Sequence, residues 1–391
     1  MSKRSRLFPV LAAATLALGG CGGASEPVVG VVLPFTGEAA PYGEHIREGI
    51  NLAVEDVNAA GGVGGQPLKV LFEDSATDDE IGKAAARKLI EQDHVLAVIG
   101  GATSSVTMAI LEDVCEPAQV VLLSPAASSP NLSGKSPYFL RVYPSDTLEA
   151  ARMADMAGHE LRLRSLVIIS EADEYGRGYK KALMDRYNRI KNREVIKVFN
   201  FMPGDRDFDA MIQETVGLDP DGIFLIGYMD SVSALVNDIR TAGITAPILT
   251  AGSLTEDFPA VAGAAAEGVM FSSPSFRAIG NKDQADRFIK AFKARYGREP
   301  GDYAAYGYYA LRVMAQVMAG GNLSRTAIHM AIRTPASEYE GVTGNILFGN
   351  EGDVVASPTT FIISDGAIIQ YKAYLEAGGT PPGQMSDGSE D

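Results

Sequence analysis

The chain has 391 residues, no tryptophan, two cysteines, and 49 acidic side chains against 34 lysines and arginines, for a formal net charge of −15. Such acidity excludes a nucleic-acid binder, whose phosphate contacts demand basic patches. It leaves the chemistry of a buried pocket open, because net charge acts on solubility and long-range encounter.

At the amino terminus, Lys3, Arg4 and Arg6 precede an apolar run from Leu7 to Leu18, and Gly19-Gly20 stands directly before Cys21. That order is a secretory signal, and an apolar run of about 12 residues is short of the roughly 20 that span a bilayer. Leu18-Gly19-Gly20-Cys21 resembles the lipobox of bacterial lipoproteins, in which small residues admit the peptidase and the cysteine thiol takes a diacylglycerol. The alternative is ordinary signal cleavage with a free cysteine left behind. Residues 1–20 are thus expected to be removed, with the lipidated Cys21 tethering a periplasmic or cell-surface protein to the membrane. The mature balance becomes 31 basic against 49 acidic residues, or −18. Cys115 is the only other cysteine, so a lipidated Cys21 leaves no intramolecular disulfide. About 355 residues lie between the signal and a Gly/Pro/Ser/Asp-rich tail, 378–391, read as disordered, which is enough for two domains.

Short apolar runs alternate with amphipathic stretches from there on, the pattern of parallel sheets covered by helices on both faces. The spacing predicts strands over 28–33, 68–74, 96–100 and 120–124, with helices over 42–60, 79–93 and after Ser104. The alternation restarts after 139–142: a helix from Asp146, a strand at 165–170, a helix from Tyr175, a strand at 195–201, a helix from Phe208, a strand at 222–226, a helix from Ser231 and a strand at 247–250. Helices over 283–296, 302–318 and 324–333 and short strands near Ile346, Phe361 and Ile368 make no third sheet and must complete the first two. The fold class is therefore α/β, two doubly wound Rossmann-like lobes. Lobe one takes 27–143 with 275–353 and lobe two takes 144–274 with 354–377, joined by crossings near 141–145, 272–276 and 352–355. Three crossings make a hinge.

Catalytic signatures are missing: no Gly-x-Ser-x-Gly, Ser-x-x-Lys, His-Glu-x-x-His or Cys-x-x-Cys occurs. A non-catalytic protein is expected, without cofactor. The histidines His45, His94, His159 and His329 are scattered as surface or loop residues, so no metal is expected. Gly61-Gly62-Val63-Gly64-Gly65 follows a helix and precedes a strand, the reverse of a phosphate loop, and reads as a turn.

Ligands of open α/β sheets bind beyond the carboxyl ends of strands. Two such places are rich in hydroxyls, Gly101-Ala102-Thr103-Ser104-Ser105 and Ser124-Pro125-Ala126-Ala127-Ser128-Ser129-Pro130. Each reads either as helix capping or as an anion site built from free N–H groups and a helix dipole. Together they would hold one carboxylate. Tyr42, Tyr175 and Tyr228 fall in strand-to-helix connections, where aromatic rings wall an apolar ligand and still offer a hydroxyl.

These segments resemble the Leu/Ile/Val-binding family of periplasmic substrate-binding proteins, which have the type I bilobal fold. The markers are Leu33-Pro34-Phe35-Thr36-Gly37, Tyr42-Gly43, the 58–65 stretch, 100–105, Ser124-Pro125-Ala126-Ala127-Ser128, Tyr175-Gly176-Arg177-Gly178 and Gly227-Tyr228. The resemblance implies a carboxylate clamp on Ser104 and Ser128 with the backbone of Ala102 and Ala126, pocket walls from Tyr42 and Tyr175, and a second-lobe contact from Tyr228. It further implies a monomer that hands a small carboxylate-bearing ligand, an amino acid or related acid or amide, to an ABC-type membrane permease; a sensor of the same fold is the rival. One departure matters. Where the family presents a glutamate to the ligand ammonium, this chain has Ser253; the family's disulfide falls on Ala76 and Thr103. Either Asp230, Glu256 or Asp257 substitutes for the glutamate, or the ligand lacks an ammonium.

Overall fold

A computed structural model describes residues 26–279, 281–320, 323–334 and 339–383. The expected signal segment, Cys21 and residues 384–391 of the tail lie outside them.

The unbroken apolar run Val28–Leu33 forms β1 and is buried along almost its whole length, as a central strand covered on both faces requires. α1 (Ala40–Ala59) leads through the 61–65 turn, closed by a Val63–Gln66 bridge, into β2 (Lys69–Asp74), whose more exposed residues mark a sheet edge. α2 (Asp79–Arg87) starts where the Asp78 carboxylate accepts the Ile81 N–H. β3 (Ala97–Gly100), α3 (Ser104–Ile110), β4 (Leu122–Ser124) and β5 (Phe139–Arg141) complete an all-parallel sheet of order β2-β1-β3-β4-β5.

The chain then enters a second sheet through α4 (Asp146–Asp155), β6 (Ser165–Glu171), α5 (Glu174–Tyr187), β7 (Glu194–Phe201), α6 (Asp209–Leu218), β8 (Gly222–Ile226), α7 (Met229–Thr241), β9 (Ile248–Thr250), α8 (Phe258–Ala262) and β10 (Met270–Ser273). It returns to the first sheet as α9 (Phe276–Ile279), α10 (Lys282–Tyr296), α11 (Asp302–Met318), α12 (Arg325–Ile332) and the antiparallel ribbon β11 (Tyr339–Gly341) and β12 (Gly344–Ile346). β13 (Thr359–Ser364), β14 (Ala367–Gln370) and α13 (Tyr371–Glu376) end on the second sheet, whose order is β14-β13-β10-β9-β8-β6-β7. α11 lies along α1 so closely that a Cβ on Gly49 would stand 1.9 Å from the Ala304 carbonyl oxygen.

The sequence reading needs four corrections. Met270–Ser273 is a strand, although two apolar residues followed by two serines are too short a run to announce one; pairing with β9 and β13 on its two sides supplies what periodicity does not. The second sheet is mixed, because β13 and β14 add to it antiparallel. The ribbon of β11 and β12 is a small third sheet. His45 is buried within α1, with Nδ1 3.9 Å from the Glu256 carboxylate.

At the hinge, Arg141 is fully buried and donates from Nε to Asp353 at 2.7 Å, from Nη1 to the carbonyls of Ala127 and Ser129, and from Nη2 to the Ser133 hydroxyl. Ser133 donates in turn to Asp353 at 2.6 Å. One side chain thereby ties the end of β5, the loop after β4 and the segment between β12 and β13.

Candidate functional site

The loop after β3 is set by its backbone. Gly101 and Ala102 both take positive φ, 87° and 58°, and a Cβ at Gly101 would lie 1.9 Å from Thr107 Oγ1. Holding alanine in the left-handed region costs about 1 kcal/mol. The result points the first turn of α3 at the cleft, with Thr103 and Ser104 both buried. Ser104 Oγ accepts the Ser129 N–H at 3.2 Å, so the loops after β3 and β4 are joined through one hydroxyl. Thr103 Oγ1 is buried without a hydrogen-bond partner.

All eight residues singled out in the sequence, Tyr42, Ala102, Ser104, Ala126, Ser128, Tyr175, Tyr228 and Ser253, line one cavity. Tyr42 and Tyr175 are in the first turns of α1 and α5, and Tyr228 is the residue before α7, so the hydrophobic rings come from helix starts. Tyr42 bridges the two sheets: its hydroxyl donates to the Ser253 carbonyl at 2.7 Å and accepts the Met229 N–H at 2.8 Å. A second bridge runs from the Glu174 N–H to the Ser105 hydroxyl at 3.1 Å, and a third from Arg206 to Glu38 at 2.8 Å. The lobes are closed on each other.

Six further residues line the cavity: Thr103, Tyr143, Asp146, Glu149, Gly252 and Tyr303. The two acids are the important ones. Asp146 and Glu149 are 2% and 4% exposed, in the first turn of α4. Glu149 Oε1 accepts the Gly252 N–H at 2.7 Å, whereas Asp146 Oδ2 has no partner. Burial pushes the Asp146 carboxyl up to about 7, partly offset by a hydrogen bond from Ser128 and the Arg141 charge. Burial, then the adjacent Asp146, holds Glu149 well above the usual carboxylate range, against the pull of the Gly252 N–H. On sequence alone two acids at the start of a helix read as dipole partners; their position straight after the first predicted crossing was the available signal.

Ser253 donates its hydroxyl to the Gly227 carbonyl. The three acids considered as substitutes do not reach the cavity. Asp230, Glu256 and Asp257 are exposed, and Glu256 faces His45 and Arg298 instead. Outside the pocket wall, Glu171 accepts from Tyr228 N–H at 3.4 Å and Ser231 Oγ at 3.3 Å, and burial followed by the Asp173 and Glu38 charges raises it to about 8. Cys115 is buried and reduced, its thiol pushed up to about 12 by burial. Among the described residues no helix is long and apolar enough to cross a membrane.

Comparison with known proteins agrees with this architecture. The leucine-, isoleucine-, valine-, threonine-, and alanine-binding protein of Pseudomonas aeruginosa is 27% identical over 357 residues, 90% of this chain and 92% of that one. The Leu/Ile/Val-binding protein of Escherichia coli K12 is 26% identical, covering 85% of this chain and 89% of its own. Among solved structures, the branched-chain amino acid transporter substrate binding protein LivJ of Streptococcus pneumoniae, in complex with isoleucine, superimposes with a TM-score of 0.81 at 26% identity, over 88% of this chain and 97% of that one. An ABC transporter solute binding protein of R. palustris in complex with benzoate shares the fold, with a TM-score of 0.79 at 20% identity over 88% and 95%. The family profile described as periplasmic binding protein matches residues 27–365, and the chain belongs to that family, with its type I fold.

Proposed function

We propose that this protein captures a small carboxylate-bearing solute, an amino acid or a related acid or amide, between its two lobes outside the cytoplasm and delivers it to an ABC-type permease. The observation that carries the reading is the convergence of side chains from both sheets on one closed cavity. Hydroxyl-bearing residues at two adjacent strand ends and a set of tyrosines line it together. Ser104 and Ser128, with the backbone of Ala102 and Ala126, hold the ligand carboxylate on lobe one. Tyr175, Tyr228 and Ser253 close from lobe two while Tyr42 latches the lobes, excluding water so that each polar contact strengthens. Lobe one is 27–143 with 275–353 and lobe two 144–274 with 354–377. Lipidation of Cys21 holds the folded part at the membrane, and the protein works as a monomer without catalysis. The capture reading is supported by the cavity lining, by the passages of the chain between sheets and by relatives named as amino acid binding proteins; the lipid anchor rests on the Leu18-Gly19-Gly20-Cys21 sequence.

The test is a thermal-shift screen of amino acids, simple carboxylates and amides. A ligand at a hundredfold over Kd adds about 2.7 kcal/mol of stability. Joint replacement Ser104→Ala and Ser128→Ala is expected to abolish the shift with the unliganded melting transition retained. A full shift in that double variant would remove the clamp assignment.

A further inference from the structure

The cavity lining holds two buried polar atoms of opposite need. Thr103 Oγ1 is a buried hydroxyl with no partner, and Asp146 Oδ2 is a buried carboxylate oxygen with no partner. Both residues line the same cavity, and both are at least nine-tenths buried. A buried polar atom left unpaired is costly, and native structures seldom leave one without a reason. Each atom also states what it lacks: the hydroxyl an acceptor, the carboxylate a donor.

From this we infer that Asp146 and Glu149 form a cation subsite, so that the bound solute presents a positively charged N–H group to the first turn of α4 while its carboxylate meets the hydroxyls. The inference rests on the capture reading above and moves the ammonium partner from the loop after β9, where Ser253 is engaged with Gly227, to the hinge-side helix. Three features give the subsite its shape. The Asp146 backbone N–H donates to the Ser128 carbonyl at 2.9 Å, so the acid adjoins the hydroxyl-bearing loop; that contiguity suits a ligand with ammonium and carboxylate on the same carbon. Glu149, on the same first turn, is fixed by the Gly252 N–H. Arg141, whose charge acts on Asp146, is engaged by Asp353, Ser133 and two carbonyls, and among the described residues the cavity lining has no lysine or arginine. A quaternary ammonium would neutralise charge, yet it has no N–H to give Asp146 Oδ2; a primary or secondary ammonium does both.

The experiment is isothermal titration calorimetry on the full protein with the twenty common amino acids. The tightest binder is then compared with its desamino acid and its N-trimethyl derivative. At least a tenfold weaker affinity for both derivatives is expected. Asp146→Asn and Glu149→Gln, close to isosteric, should each shrink that ratio to within threefold mainly by weakening the amino acid, while affinity for the desamino acid, which also reports an intact fold, holds. Three results would overturn the inference. One is a desamino acid that binds as tightly as its parent. Another is amino acid affinity unchanged in both variants. The third is a plain carboxylate such as benzoate binding where no amino acid does, which would leave the capture reading standing. Binding by none of the amino acids, carboxylates or amides would refute capture itself and the subsite with it.

Discussion

Arg141 and Asp146 are five positions apart, lie on the same crossing between the sheets, and are both withdrawn from water, yet they are treated in opposite ways. The guanidinium spends its donors on an aspartate, a serine and two carbonyls. The carboxylate keeps one oxygen unpaired inside the cavity. A buried charge that is fully partnered holds a structure in one arrangement; one left partly unpartnered is tolerated where a ligand completes it. The hinge therefore contains a structural charge and a charge held for the solute, within one short segment.

The comparison is broken most directly at Arg141. Arg141→Ala takes the guanidinium away from Asp353, which keeps only the Ser133 hydroxyl, and from two carbonyls, and is expected to cost about 3–5 kcal/mol of stability in urea unfolding. Arg141→Lys should recover only part of this, because one ammonium cannot reproduce the fork. A loss under 1 kcal/mol for the alanine variant would place the hinge elsewhere.

Asp146→Asn should act in the other direction on the unliganded protein. The native carboxyl, raised to about 7 by burial, exceeds its unfolded value of about 3.9, so between those pH values the native state holds more protons. Its neutral form is favourable at low pH, and that contribution is lost as pH rises through 7. The asparagine variant should accordingly match wild type near pH 4 and exceed it at pH 8, by on the order of 3 kcal/mol. Melting temperature against pH for the two proteins checks this, their difference reporting Asp146 together with the part of the Glu149 shift that Asp146 causes. An equal slope for both would remove Asp146 as the source. For ligand, the sign is reversed. An ammonium needs the charged acid, so affinity should rise from pH 5.5 to 8, with Ser128, Arg141, Tyr143, Tyr175, Tyr179, Gly252 and Tyr303 as the groups facing the pair.

Smaller effects sharpen the picture of closure. Tyr42→Phe removes a hydroxyl that serves both Ser253 and Met229 across the cleft. The loss is about 1 kcal/mol of the closed state, seen as roughly fivefold faster ligand release in stopped-flow fluorescence. Ser105→Ala, which takes away only the acceptor of the Glu174 N–H, should speed release about twofold, and a larger change than for Tyr42→Phe would reverse the assignment of the main latch.

Much of this molecule was legible before folding was considered. The alternation of apolar runs with amphipathic stretches is a local property, so the succession of strands and helices that builds the two main sheets could be read from it. Hydroxyl-rich segments after predicted strands pointed to Ser104 and Ser128, both of which line the cavity at strand ends. What pattern could not reach was pairing and burial. Met270–Ser273 became a strand because β9 and β13 flank it. Asp146 and Glu149 look like ordinary helix-starting acids in the sequence; only the docking of α4 against the Gly252 loop and the tyrosines takes them out of water. Periodicity and turn chemistry are written residue by residue, whereas the environment of a charge depends on segments more than a hundred positions away, and that the tertiary structure alone decides.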